Sequence, residues 1–241
     1  MSLLKGLPRG YLLLGLVLCT GCASLEGESL KEADRHEEFN RASFRLSEAV
    51  DERVMAPAAR GYDRIVPGPV KQGVLNAFRN LRGLDSALNG LLQGKIDSAA
   101  TDLARFGVNS SLGLLGWFDV AARWKLEDQQ EDLGQTLAVW GVTGSSYLYV
   151  PLLGPSTWRD LPSMLVSNVM PRLVLGPNYH WSLSGLDVLG TRADFLTATQ
   201  LRDSSALDPY AFTRDAYLQR RKFLIFDGNP PLEDFFDDFD D

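Results

Sequence analysis

The chain has 241 residues, 45% hydrophobic and 23% charged, enough to bury a substantial core in one domain or a closely joined pair. A formal charge of −7 and a pI of about 4.9 exclude the basic footprint of a nucleic-acid binder. Only two cysteines, Cys19 and Cys22, are present, so no disulfide framework is expected.

Both cysteines lie in an N-terminal segment unlike the rest. Lys5 and Arg9 make a short positive region and Gly10–Leu18 an apolar one, too short for a stable membrane anchor. The segment ends in Leu18-Cys19-Thr20-Gly21-Cys22, with small residues just before Cys22. Residues 1–21 read as a bacterial lipoprotein signal and Cys22 as the acylated first residue of the mature chain. Cys19 stands where such signals usually carry an aliphatic residue. Ordinary cleavage near Ala23, leaving a soluble periplasmic protein, is the alternative. Acylation of Cys22 would leave no thiol, and loss of Lys5 and Arg9 would take the charge from −7 to −9. Residue 23 is Ala rather than Asp, so the inner-membrane retention signal is missing. The expected location is the periplasmic leaflet of the outer membrane, held by several acyl chains on one residue.

Residues 22–38 are polar and acidic and read as a flexible, lipidated tether, with the folded body spanning 39–227. Phe39, Ala42, Leu46, Val50 and Val54 recur at spacings of three and four, which predicts an amphipathic helix closed by Pro57. The same periodicity runs through Val70, Val74, Phe78, Leu81, Leu84 and Leu88, where Gly83 and Gly90 predict breaks into shorter helices. Asp97 is a candidate N-cap for a helix over 97–112, Thr191 for one over 192–202, and Asp208-Pro209 opens another reaching Phe223. No two-residue alternation runs long enough to build a sheet, so the expected class is all-α. Residues 228–241, rich in Asp and Phe, are expected to be a disordered acidic tail.

No catalytic constellation stands out, and the chain is not expected to be an enzyme. His36 and His180 lack a second ligand at metal spacing, so neither metal nor cofactor is expected. Asn109–Gly113 lacks the first glycine of a nucleophile elbow, and its plainer reading is a helix end. A serine hydrolase using Ser111 and His180 is the enzymatic rival. Glu127–Asp132 reads as a solvated loop rather than a cation site. Arg214, Arg220, Arg221 and Lys222 form a basic patch, read either as a solvated face or as a contact for lipid phosphate or an acidic partner, with Arg214 and Arg221 the candidates.

From Leu133 to Trp158 no side chain is charged, yet glycines and prolines interrupt the run. A spanning helix is therefore not expected. The segment is either the core of a helical domain or a bent hairpin dipping into the membrane beside a cavity. Trp140, Tyr147, Tyr149 and Trp158 favour the hairpin, because amphipathic rings collect at lipid–water interfaces. Its candidate channel or membrane residues are Trp140, Gly141, Gly144, Tyr147, Pro151, Leu152, Leu153, Gly154 and Pro155, with a second membrane segment at Gly116, Trp117 and Phe118.

Ordered motifs across this body resemble one known family. Phe39-Asn40-Arg41, Leu91-Leu92-Gln93-Gly94, Arg105-Phe106, Val108-Asn109-Ser110 and Gly116–Asp119 come first. Asp132–Leu137, Trp140-Gly141-Val142, Leu152–Ser156, Arg159-Asp160, Asp208-Pro209-Tyr210 and Arg214–Tyr217 follow. Together they are similar to the MlaA (VacJ) outer-membrane lipoproteins from about Glu38 to Asp227. The family's usual Asp-Pro-Leu-Glu-Gly is here Asp34–Glu38, which keeps only Asp34 and Glu37. The resemblance implies a ring- or disc-shaped helical protein in the inner leaflet of the outer membrane. It also implies removal of misplaced outer-leaflet phospholipids through a central channel, delivery to a periplasmic carrier of the MlaC type, and association with a trimeric porin. The alternative is a non-transporting lipoprotein that scaffolds a porin.

Overall fold

A computed structural model describes residues 33–142, 145–166 and 169–231. Helices dominate: α1 (Glu37–Val50), α2 (Ala56–Ile65), α3 (Gly68–Leu92), α4 (Ile96–Ser111), α5 (Val120–Arg123) and α6 (Leu133–Val139). They are followed by α7 (Leu161–Val166), α8 (Val169–Asp194), α9 (Leu196–Ser205) and α10 (Pro209–Ile225). The helical class is as expected, with one addition. Strands β1 (Tyr147–Val150) and β2 (Gly154–Thr157) pair antiparallel, Tyr147 opposite Thr157 and Val150 opposite Gly154.

That hairpin escaped the sequence because Tyr147, Leu148 and Tyr149 are all buried. A strand covered on both faces reads as a plain apolar run with no alternation. Its three-residue turn, Pro151–Leu153, closes with left-handed backbone at Leu152 (φ 65°) and Gly154 (φ 101°).

Helix α3 is the organising rod, about 37 Å long for its 25 residues. It packs against α4, α6 and α8, and α8 also covers α2. Gly83 and Gly90 do not break it, because packing on both sides outweighs the roughly 1 kcal/mol propensity cost of each glycine. Gly73 is where a glycine is required: any β-carbon there would overlap the ring of Trp117. Pro57 does not close α1 either. A π-turn over Asp51–Met55 resets the register, and Pro57 falls in the first turn of α2, where no N–H is needed.

Two predicted caps also differ. Lys95 rather than Asp97 precedes α4, and α8 runs past Thr191 to Asp194, its backbone broken instead at Gly176 (φ 73°, ψ 161°). Asp208 does cap α10, accepting from Tyr210 N at 3.0 Å and Ala211 N at 3.2 Å.

The hairpin's aromatic rings make the core. Phe44 of α1 meets Tyr149 and Tyr210 edge-on at 5.4 and 5.7 Å, and Tyr147 meets Tyr210 at 6.2 Å. Packing reaches upstream of Phe39. Asp34 is buried, and its carboxylate accepts from Asn40 Nδ2 (2.8 Å), Tyr210 Oη (2.6 Å) and Arg214 Nη1 (3.2 Å).

Candidate functional site

The site is built on the polar edge of α3. Arg79, Arg82, Ser86 and Asn89 recur at spacings of three and four, one stripe of a helix whose other positions are largely apolar. Facing that stripe, the 127–132 segment, the start of α6, α7 and Arg220 of α10 enclose a cavity of about 450 Å³. The stripe was legible in the sequence, but only the apolar face of this helix attracted attention there.

Side chains of α3 hold the opposite wall in place. Ser86 Oγ donates to Asp102 Oδ2 at 2.5 Å and accepts from Glu131 N at 2.8 Å. Asn89 Oδ1 accepts from Thr136 Oγ1 at 2.8 Å. Glu131 is buried, with Lys95 Nζ and Gln93 Nε2 each 2.9 Å from its carboxylate. The expectation of a solvated 127–132 loop is therefore corrected: part of this acidic run forms the cavity wall, because each buried acid meets a donor. Asp85 also lines the cavity, and burial pushes its carboxyl up to about 6, with Arg82 acting in the opposite sense. One of its oxygens is buried with no hydrogen-bond partner among the described residues.

A second ionic frame locks α6 to α10. Arg221 is buried and reaches Asp132 Oδ1 (3.0 Å) and Asp160 Oδ2 (2.9 Å), two carboxylates from different segments. Burial opposes the guanidinium's charge, but these carboxylates overcome it and raise its pKa. Burial alone would raise the Asp160 carboxyl, whereas Arg221 and Arg159 hold it below the usual range. Gly134 completes the frame, since a β-carbon there would overlap Asp160 Oδ1 and Arg221 Nη2. Asp132 also caps α6 through Gln135 N at 2.9 Å, which explains the Asp132-Leu133-Gly134-Gln135 motif physically. A third frame explains another group of motifs. Arg105 Nη2 and Asn109 Nδ2 both reach Asp119 at 3.0 Å, clamping the loop after α4.

The candidate residues fall into distinct environments. Arg214 and Arg221, singled out as head-group or partner contacts, direct their donors at the internal carboxylates of Asp34, Asp132 and Asp160. Tyr147 is fully buried in the aromatic core. Trp140 is half-exposed and donates Nε1–H to Leu92 O at 3.0 Å, Gly141 has φ 94°, Pro151 opens the hairpin turn, and Pro155 lies in β2 opposite Tyr149. Leu152 and Leu153 at that turn are exposed, as is Phe118, whereas Gly116 is packed on Asn80 and Trp117 on Gly73. Gly144, Cys22 and the tail from residue 232 lie outside the described residues, as does the side chain of His180. Ser111 Oγ donates back to Gly107 O at 2.6 Å. No cluster of metal-ligating side chains occurs among the described residues, nor any helix long and apolar enough to cross a membrane.

Fold and site together define a helical protein that keeps a charged cavity in a body with many large apolar side chains exposed. The family model for "MlaA lipoprotein" matches residues 32–224, and the chain belongs to that family. It is 32% identical to the intermembrane phospholipid transport system lipoprotein MlaA of Haemophilus influenzae over 228 residues, 90% of this chain and 89% of that one. The protein of the same name from Escherichia coli K12 is 32% identical over 244 residues, covering 95% and 96%. A solved structure that addresses the structural basis for maintenance of bacterial outer membrane lipid asymmetry superposes with a TM-score of 0.70 at 29% identity, covering 80% of this chain and 98% of that one.

Proposed function

We propose that this chain is an outer-membrane lipoprotein, anchored through Cys22 in the periplasmic leaflet, that removes misplaced phospholipids from the outer leaflet. The route runs past the cavity between α3, the 127–142 segment and α10, and ends on a periplasmic carrier of the MlaC type, with a trimeric porin alongside. The observation that carries this reading is a cavity lined by both signs of charge within a body whose surface carries large exposed apolar side chains. A phospholipid in transit needs both, a polar passage for its head and an apolar surface for its tails. The curated relatives named as phospholipid-transport lipoproteins support the same reading.

The loop between α4 and α5 adds a detail. Leu114 and Leu115 both have left-handed backbone (φ 52° and 59°), yet their side chains are 66% and 81% exposed. Each such residue stores about 1–2 kcal/mol of strain. Water gives no return for presenting two leucines in this way, whereas the acyl region of a leaflet does. On this reading Leu114, Leu115 and Phe118 dip into lipid, together with Trp140, Leu152 and Leu153, and Gly141, Pro151 and Gly154 provide the bends. The double variant Leu114→Asp/Leu115→Asp, without the acyl anchor, should bind phospholipid vesicles about a hundredfold more weakly in flotation assays with its thermal midpoint retained. Equal vesicle binding would remove this loop from the membrane.

The decisive experiment is deletion of the chain followed by measurement of surface-exposed phospholipid. A several-fold rise, reversed by the wild-type chain and by a Cys22→Ser variant only weakly, is expected. Unchanged outer-leaflet composition would overturn the reading.

A further inference from the structure

The charges around the cavity are not all committed to one another. Arg82 pairs with Asp187 at 2.8 Å, Glu131 with Lys95 at 2.9 Å, and Asp132 with Arg221. Removing these from consideration leaves two cations and two acids. Arg79 makes no hydrogen bond or ion pair among the described residues, and Arg220 reaches only the neutral amide of Gln130, at 2.9 Å. Asp128 has no hydrogen bond or ion pair among the described residues, and Asp85 keeps one buried oxygen without a partner.

Resting on the phospholipid-transport reading, we propose that this cavity receives the head group of a zwitterionic phospholipid with a primary ammonium. Arg79 and Arg220 meet the phosphodiester, and Asp85 and Asp128 meet the ammonium. Balance of charge is the first argument. An anionic head group would face two uncompensated carboxylates, and each unmatched charge taken out of water counts against it. The zwitterion sets an opposite charge against each pair at once, and the one cation and one acid left over balance each other. The nature of the cation is the second. A quaternary ammonium has no N–H to donate and is recognised by aromatic faces. Among the described residues no aromatic side chain lines this cavity, whereas the carboxylates of Asp85 and Asp128 and the hydroxyl of Ser163 are acceptors suited to three N–H donors. The cavity's volume, about 450 Å³, falls within the usual range for small-ligand sites. The raised pKa of Asp85 is consistent with an acid held in place for a cation that arrives with the ligand.

The test uses the full lipidated chain in detergent, exchanged against vesicles holding equal amounts of phosphatidylethanolamine, phosphatidylglycerol and phosphatidylcholine, then repurified. Bound lipids are quantified by mass spectrometry. The wild-type protein should carry phosphatidylethanolamine enriched roughly tenfold over each of the others, as expected for one well-made charge contact. Asp85→Asn/Asp128→Asn should abolish that enrichment and shift the bound pool toward phosphatidylglycerol. Asp85→Asn alone removes a partly desolvated charge, so it should fold and shift the pool in the same direction. Bound lipid at the vesicle ratio in the wild type, equal enrichment of phosphatidylcholine, or a ratio unchanged by the substitutions would overturn the proposal while leaving lipid transport standing. A wild-type protein that carries no phospholipid would overturn both.

Discussion

Replacing Arg221 with Met is expected to lower the unfolding free energy by about 3 kcal/mol at neutral pH, because it strands two carboxylates that now share one buried guanidinium. Asp132 and Asp160 come from different segments, so the loss should also loosen α6 from α10. Asp160 keeps Arg159 at 3.0 Å and the Tyr217 hydroxyl at 2.9 Å, which sets the expected loss at the lower end of the range for a broken buried pair. The pH dependence follows from the lowered pKa of Asp160. A carboxylate depressed in the folded state contributes stability above its unfolded value of about 3.9, and loses it as pH falls through the folded value. The gap between wild type and Arg221→Met should therefore narrow below about pH 4. Urea unfolding at pH 7 and pH 3.5 measures both effects, and a loss under about 1 kcal/mol at pH 7 would show that the frame is not needed. Arg221→Lys should recover little, because a single ammonium cannot replace two forked contacts.

The second large effect is expected at Asn40, whose side chain is fully buried and uses every available group. Its amide donates to Asp34 Oδ1 (2.8 Å) and Tyr147 O (3.1 Å), while its carbonyl accepts from Tyr149 N (2.8 Å). This one side chain fastens α1 to the outer edge of β1. Asn40→Leu keeps the volume but leaves three buried polar groups unpaired, a cost of about 3 kcal/mol. Hydrogen exchange supplies a local readout: the Tyr149 amide should lose protection ahead of the α3 amides. Asn40→Asp should do no better, since it sets a second carboxylate against Asp34. Retained protection at Tyr149 in either variant would separate the hairpin from α1.

These two residues mark what was readable in advance. Both belong to motifs conspicuous in the sequence, Phe39-Asn40-Arg41 and the basic run on the last helix. The sequence shows that they matter to the pattern, without showing what each side chain touches. Arg221 looked like part of an outward basic patch because a helix face carries no mark of what packs on it. Its partners lie 61 and 89 residues away along the chain. Arg220, one residue earlier, does face the cavity, and nothing local distinguishes the two.

The uncharged stretch from Leu133 to Trp158 divides in the same way. Its lack of charge signals burial for only part of its length, because composition does not say which segments a neighbour covers. Tyr147–Tyr149 are covered by α1 and α10, whereas Trp140, Leu152 and Leu153 stay exposed. Amino-acid composition, 3.6-residue periodicity and the Asp208-Pro209 cap determined by themselves that the body is helical and where its last helix begins, because those signals act within one or two turns of chain. The hairpin, the continuous α3, the buried arginine frames and the cavity were decided only by tertiary structure. Each depends on which distant face or charge is brought alongside, and burial by that neighbour outweighs the local preferences of glycine, proline and exposed arginine.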